Sequence, residues 1–138
     1  MVAEPVYAGM THEVTFDCEP EELLVTTFGT ASVEGLSAMA RTAFADPRFR
    51  PAMKILIDHR ELDWREMSAD DIRMRAERLL DEEADLLIGC RLAIVPHGTA
   101  EFGIVRMMWA HIETEIAFDL GIFVTIEEAR AWLSSARP

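Results

Sequence analysis

Two short runs of consecutive apolar residues constrain the fold of this chain more than any other feature. The first, Ile55 to Ile57, lies within the segment 54–58, and the second spans Leu92 to Val95. Both runs are too short for helices and are rich in branched residues, which is typical of strands covered on both faces. Each is followed by a longer amphipathic segment, so the pair predicts a parallel sheet whose strands are connected through helices.

The segments between and after these runs have helical spacing. Apolar residues recur at intervals of three and four, and each segment begins or ends at a residue that favours a helix boundary. The predicted helices are 33–45, stopped by Asp46-Pro47; Ala69 to near Gly89, with Ser68 as N-cap; Thr99 to Gly121; and a terminal helix that begins at the capping box Thr125–Glu128. On the second helix, the charge spacing predicts the ion pairs Asp71–Arg75 and Arg78–Glu82.

The first thirty residues predict a β-hairpin. Val14 and Phe16 alternate with polar residues, the segment 18–22 contains a proline and forms the turn, and Leu23 to Phe28 returns. With a last short strand at Ile122 to Val124, the order is β-β-α-β-α-β-α-β-α. We therefore expect one α/β domain over 1–138, with a mixed, mostly parallel five-stranded sheet, an N-terminal hairpin and about four covering helices.

Charge and cysteine content narrow the classes of function. The 138 residues include 13 Lys and Arg against 25 Asp and Glu, a formal net charge of −12. Such a surface repels nucleic acid and anionic lipid, so neither is an expected partner. Cys18 and Cys90 stand alone, without the spacing of a zinc site or a redox dithiol. No export or spanning segment is evident, so we expect a cytoplasmic protein.

Functional residues in such sheets favour the carboxyl ends of the parallel strands, here the predicted loops 59–68 and 96–99. His59, Glu61 and Asp63 alternate and in an extended loop would face one side as metal ligands, although polar residues just past a strand are more often simply solvated. An enzyme using Asp58, His59 or His97 is a further alternative. Because neighbours on a strand point to opposite faces, Asp58 and His59 form no dyad by themselves.

The 59–68 loop also carries residues suited to binding another protein. Tryptophan and arginine supply much of the binding energy at interfaces, and Trp64 lies in a polar loop, not on an apolar stripe. We therefore expect Arg60, Trp64 and Arg65 to contact a partner; the alternative for Trp64 is that it packs the loop onto the domain. Met107 falls off the apolar stripe of its helix and is expected to be an exposed apolar contact.

Three segments together resemble the SpoIIAA-like family of small bacterial proteins, which is related in fold to STAS domains (anti-sigma-factor antagonists) and to the CRAL-TRIO lipid-carrier domain. They are ADPRFRPAMKILIDHREL at 45–62, RLAIVPHGTAEFGIVRMM at 91–108 and IFVTIEEARAWL at 122–133. The resemblance implies a five-stranded mixed sheet, no cofactor, no catalytic residue and often a homodimer. In antagonist STAS domains a serine in an Asp-Ser-Ser-Gly-type motif is phosphorylated at the start of the helix after this strand. Ser68 matches that place, but the surrounding Glu66-Met67-Ser68-Ala69 lacks the Asp and the Gly.

These observations predict a regulatory, non-enzymatic module that presents the 59–68 loop and the following helix to a partner protein. Because this chain is acidic, we expect the contacting surface of the partner to be basic. Ser68 is the expected phosphorylation site, if there is one, and otherwise only a helix cap. The alternative function is a carrier of a small apolar ligand or lipid, which the CRAL-TRIO relationship and the third helix, rich in Met, Phe and Trp, would suit.

Overall fold

The computed structural model describes residues 9–18 and 21–135, and it has the predicted architecture. The elements are β1 (Met10–Cys18), β2 (Glu21–Thr30), α1 (Val33–Phe44), β3 (Lys54–Asp63), α2 (Ala69–Glu82), β4 (Arg91–Pro96), α3 (Thr99–Ala110), β5 (Asp119–Ile122) and α4 (Ile126–Ser134). The strands form one sheet in the order β1-β2-β3-β4-β5, with β1 and β2 antiparallel and all other neighbours parallel. The predicted α/β fold with an N-terminal hairpin is confirmed, although residues 19–20 of the expected turn lie outside the described residues.

The sheet has helices on both faces, which explains why the apolar runs of β3 and β4 are continuous. Ile55 and Ile57 belong to the large core under α1, α2 and α3, whereas Leu56 packs with residues of α4 on the opposite face. Alternate side chains of a strand point to opposite faces, so every position of such a strand is buried.

Helix α4 is fixed to its face of the sheet by a small cluster, by Arg91 and by a 3.0 Å ion pair between Arg130 of α4 and Glu22 of β2. The buried residues of this cluster are Leu56, Ala93, Val95, Ala129 and Leu133. The buried Arg91 side chain of β4 donates from Nη1 to the Ser135 carbonyl at 2.6 Å, and its guanidinium lies 4.3 Å from the ring centre of Trp132. A cation at this place also complements the negative end of the helix dipole.

Strand β3 is five residues longer than the sequence predicts, and the correction removes the first half of the expected loop. Residues 59–63 continue the strand because β2 extends to Thr30 and pairs with this part of β3 in parallel, through Gly29↔Leu62 and Thr30↔Asp63. The register shifts between Thr26↔Asp58 and Phe28↔Glu61, where β3 has one more residue than β2. The sequence does not indicate this part of the strand, because the charged residues Arg60 and Glu61 interrupt the apolar run. Both are exposed, while Leu62 after them is buried. The loop that remains is 64–68.

Helix α2 ends at Glu82 and not near Gly89, and the ion pairs predicted on its surface are wrong. The reason is that Arg75 points into the core, where its guanidinium donates to both carboxylate oxygens of Glu83 at 2.6 and 2.8 Å. Both side chains are buried. Glu83 is the C-cap, and its N–H still donates to the Leu79 carbonyl at 2.9 Å, so the helix ends at the buried partner of Arg75. Arg78 instead pairs with Glu34 of α1 at 2.9 Å.

Helix α3 begins at Thr99 as predicted but ends at Ala110, well short of Gly121. Leu120 and Gly121 belong to β5, where they pair with Leu92 and Ala93 of β4. The strand therefore begins and ends earlier in the chain than the predicted strand 122–124. A Cβ atom at Gly121 would lie 2.5 Å from the Phe123 ring. This glycine is thus needed for close packing beside Phe123 and does not end a helix.

Among the described residues, no helix combines the length and the apolar character required to cross a membrane.

Candidate functional site

A charged cleft opens at the carboxyl ends of β3 and β4, where the topology predicts function. Its volume is about 380 Å³, and it is lined by Glu61, Leu62, Asp63, Arg65, His97 and Glu101. The exposed His97 ring is held by its Nδ1, which donates to the Arg60 carbonyl at 2.6 Å. Because a carbonyl only accepts, Nδ1 carries a proton. The neutral ring therefore has its lone pair on Nε2.

Arg65 and Asp63 neutralise each other on one wall of this cleft. The Arg65 guanidinium donates from Nη2 to Asp63 Oδ2 at 2.8 Å and from Nε to both carboxylate oxygens. Hydrogen bonds from the Arg65 side chain and backbone lower the pKa of Asp63 to about 2. Both groups stay ionised at neutral pH, and their charges largely cancel.

Glu101 is the unusual member of the cleft. It is the third residue of α3 and only 7% exposed. Its carboxylate forms no hydrogen bond and no ion pair with any residue in the described part of the chain, and Oε2 lies 3.6 Å from where a Cβ atom of Gly98 would be. Its carboxylate oxygens stay accessible at the cleft, while the rest of the residue is largely enclosed.

A second, apolar depression adjoins the cleft. It has a volume of about 190 Å³ and is lined by Pro96, His97, Gly98, Thr99, Phe102, Phe123 and Val124. His97 belongs to both depressions, so they are contiguous. Val124 is 71% exposed, the highest value among the exposed large hydrophobic residues. We call the cleft and this groove together the carboxyl-edge surface.

The sequence did not single out Glu101, Phe123 or Val124. Glu101 follows a helix start and resembles an ordinary first-turn acid, and its burial cannot be read from spacing. Phe123 and Val124 were predicted to be strand residues, but the strand ends at Ile122 and the two residues line the groove instead.

The predicted exposure of Trp64 is wrong. Its side chain is fully buried and contacts the His59 ring edge to face, with ring centres 5.4 Å apart. The alternative, in which Trp64 packs the loop onto the domain, is the arrangement in the structure. Trp64 therefore cannot contact a partner in this conformation. Arg60 and Arg65 are exposed, and Met107 is half exposed, as expected for residues available to a partner.

The residues of the enzyme and metal alternatives do not converge. His59 is buried in the core, with Nδ1 2.7 Å from Thr27 Oγ1, and burial lowers its pKa to about 3. Asp58 lies on the other face of β3 and pairs with Arg60, with two guanidinium contacts of 3.0 Å. His97 is at the cleft. Within residues 9–18 and 21–135, no three His, Cys, Asp or Glu side chains are grouped as a metal would require.

The interior cavity is too small for an acyl chain. The space among His59, Trp64, Arg75, Glu83 and Trp109 amounts to about 30 Å³. Pockets for drug-sized ligands have volumes of several hundred Å³. A lipid would enter this core only if the helices moved apart.

Ser68 is an N-cap, as predicted. Its Oγ accepts from the Asp71 N–H at 3.1 Å, and Asp71 Oδ2 accepts from the Ser68 N–H at 3.0 Å. This reciprocal pair is a capping box. The Ser68 side chain is exposed, but a phosphate on Oγ would replace the cap and lie beside the Asp71 carboxylate.

Comparisons with known proteins bear on the fold. No protein-family model and no curated protein matches the sequence. The structure is similar to the crystal structure of an uncharacterised protein of the DUF3478 family from Shewanella loihica PV-4, which has a SpoIIAA-like fold. The match has a TM-score of 0.57 and 18% sequence identity, and it covers 96% of this chain and 98% of the other. The chain therefore has the SpoIIAA-like fold that the sequence segments predicted.

Proposed function

We propose that this chain is a non-enzymatic cytoplasmic module that binds another protein through its carboxyl-edge surface. The observation that supports the proposal is the contiguity of a charged cleft and an apolar groove, which share His97. Protein interfaces combine an apolar centre with a polar rim, and a partner segment of a few residues would contact both depressions at once. The regulatory role of antagonist STAS domains, which share the fold, agrees with a module of this kind.

Charge favours a basic partner. The net charge is −12, and the cleft contains three carboxylates against one arginine. Electrostatic complementarity accelerates encounter and excludes wrongly charged partners. Of the residues expected from the sequence, Arg65 lines the cleft, whereas Arg60 is paired with Asp58 nearby. Phosphorylation of Ser68 is not required by this proposal, since Ser68 does not line either depression.

The test uses two exposed apolar residues at opposite edges of the sheet. Val124 lies in the groove, whereas Leu86 is 49% exposed and precedes β4, so it is at the amino edge. Tagged wild type, Val124→Asp and Leu86→Asp would each be used to isolate bound proteins from cells of the source organism, with quantitative mass spectrometry. We expect a partner that Val124→Asp loses and Leu86→Asp keeps, and direct binding of the purified partner with the same ranking.

The proposal fails if the same proteins bind all three forms equally, or if Leu86→Asp alone loses them. Circular dichroism of both variants checks that they are folded. Both substitutions place a charge at an exposed position, so we expect little change in stability.

A further inference from the structure

The carboxylate of Glu101 lines the cleft and has no hydrogen-bond or ion-pair partner among the described residues. The cleft therefore lacks a positively charged group to pair with it. Because most of the Glu101 residue is enclosed, its accessible carboxylate is held in place at the cleft, and a carboxylate that is already ordered loses less freedom when it binds a cation. Glu101 is 93% buried, being 7% exposed, and it faces a cleft of about 380 Å³ that is open to a ligand. A positively charged group entering from outside would satisfy it.

The hydrogen-bond donors of Arg65 and His97 in the cleft are engaged with other groups. The Arg65 guanidinium makes three side-chain hydrogen bonds to Asp63, at 2.8, 3.0 and 3.1 Å. The proton on His97 Nδ1 is donated to the Arg60 carbonyl. Neither Arg65 nor His97 forms a hydrogen bond or an ion pair with Glu101. The Glu101 charge nevertheless adds to that of Asp63 in raising the pKa of Arg65.

A guanidinium fits this environment better than an ammonium. It is more weakly hydrated, so it loses less on entering a partly buried site, and its planar fork donates to a carboxylate through two bonds. The exposed carboxylate of Glu61 at the cleft mouth is an additional acceptor. The adjacent groove offers apolar contact to the neighbouring side chain of the same segment.

We infer that the cleft binds an arginine side chain of the partner protein, with Glu101 as the anchoring carboxylate and the Phe102–Phe123–Val124 groove holding an adjacent apolar side chain. This inference rests on the proposed function and specifies the chemistry of the partner.

The test is a titration of the ¹⁵N-labelled full chain, followed by NMR, with the capped dipeptides acetyl-Arg-Leu-amide and acetyl-Leu-Arg-amide. Citrulline replaces arginine in the control peptides, since it has nearly the same shape and no charge, and lysine replaces it in a second set. The proteins are wild type, Glu101→Gln and the matched control Glu77→Gln, whose carboxylate is exposed on α2.

We expect saturable shifts at residues 61–65 and 97–101 with an arginine peptide. Binding should weaken about tenfold or more with citrulline or with Glu101→Gln, because a hydrogen-bonded charge pair is lost. Lysine should bind more weakly than arginine, and Glu77→Gln should behave as wild type. Equal binding of arginine and citrulline peptides, unchanged binding by Glu101→Gln, or lysine equal to arginine would each overturn the inference.

The citrulline comparison on the wild-type protein needs no variant, so it decides the matter even if Glu101→Gln does not fold. The two proposals can also fail separately. Loss of a partner on Val124→Asp without arginine selectivity would retain the interaction surface and reject the arginine site. Arginine selectivity through Glu101 without a partner sensitive to Val124→Asp would retain the site and reject the surface as a protein interface.

Discussion

Acidification from pH 7 to pH 5 should destabilise this protein through His59. His59 is buried, and its Nδ1 lies 2.7 Å from the Thr27 hydroxyl, which itself donates to the Asp58 carbonyl. Burial, with a smaller contribution from the Arg75 charge, lowers the pKa of His59 from 6.5 to about 3. Between these two pH values the unfolded chain binds a proton that the folded chain excludes. Stability is therefore complete above pH 6.5 and is lost as the pH falls toward 3.

The two pKa values give the size of the effect. Between pH 7 and pH 5 the linkage relation predicts a loss of about 2 kcal/mol in the free energy of unfolding from this one group. Asp58 and Asp63 contribute little in this range, because the fold lowers their pKa values from unfolded values that already lie below 5.

Urea denaturation followed by circular dichroism at pH 7, 6 and 5 measures this loss. In His59→Asn the side-chain amide can still donate to Thr27 but does not titrate. We expect this variant to be less stable than wild type at pH 7. Between pH 7 and pH 5, its free energy of unfolding should fall by about 2 kcal/mol less than that of wild type. His111→Asn, at an exposed histidine, is the control and should keep the wild-type dependence. If wild type and His59→Asn respond equally to pH, the reasoning about His59 is refuted.

Three further substitutions test the core and the cap by urea denaturation. Trp64→Ala should lose about 3–5 kcal/mol, as expected for a buried tryptophan; a loss below 1 kcal/mol would support an exposed side chain. Glu83→Gln should lose about 3–5 kcal/mol because Arg75 is left buried without its counter-charge, and changing both residues to leucine should cost less than the sum of the two single changes. Ser68→Ala should lose about 1 kcal/mol with the cap, whereas Ser134→Ala, at the exposed end of α4, should change stability little.

The sequence predicted most of the fold because its strands and helix starts leave local signals. The apolar runs around Ile55 and Leu92 identify β3 and β4, and Ser68 and Thr125 mark the first residues of two helices through their caps. The ends of elements were less predictable. Strand β3 continues through charged residues because β2 pairs with them, and α3 stops early because Leu120 is needed in β5. The end of β3 and the end of α3 both depend on contacts between segments that are distant in the sequence.

The candidate site was predictable in position but not in composition. Topology places function at the carboxyl ends of β3 and β4, and the cleft lies there. Which residues line it depends on burial, which reversed the expectation for Trp64 and identified Glu101, a residue that the sequence analysis had not selected. Trp64 lies in a polar stretch yet is enclosed, and Glu101 looks like an ordinary helix-start acid yet is buried. Similarly, Arg75 and Glu83 are eight residues apart, a separation that no helical pairing rule connects.

The two faces of the sheet are covered unequally, and α4 should therefore open locally at a lower free energy than the rest of the protein. Three helices share the large core, whereas α4 packs in a cluster with five buried residues and is joined to the sheet by Arg91 and by the Arg130–Glu22 pair. Segments with few buried contacts open locally at a lower free energy than the whole protein, so the amides of α4 should exchange with solvent faster than those of β3 and β4. Phe123 and Val124 immediately precede α4 and form a wall of the groove. A partner that binds there would slow this exchange, and hydrogen exchange at the terminal helix would report binding at the edge of the sheet.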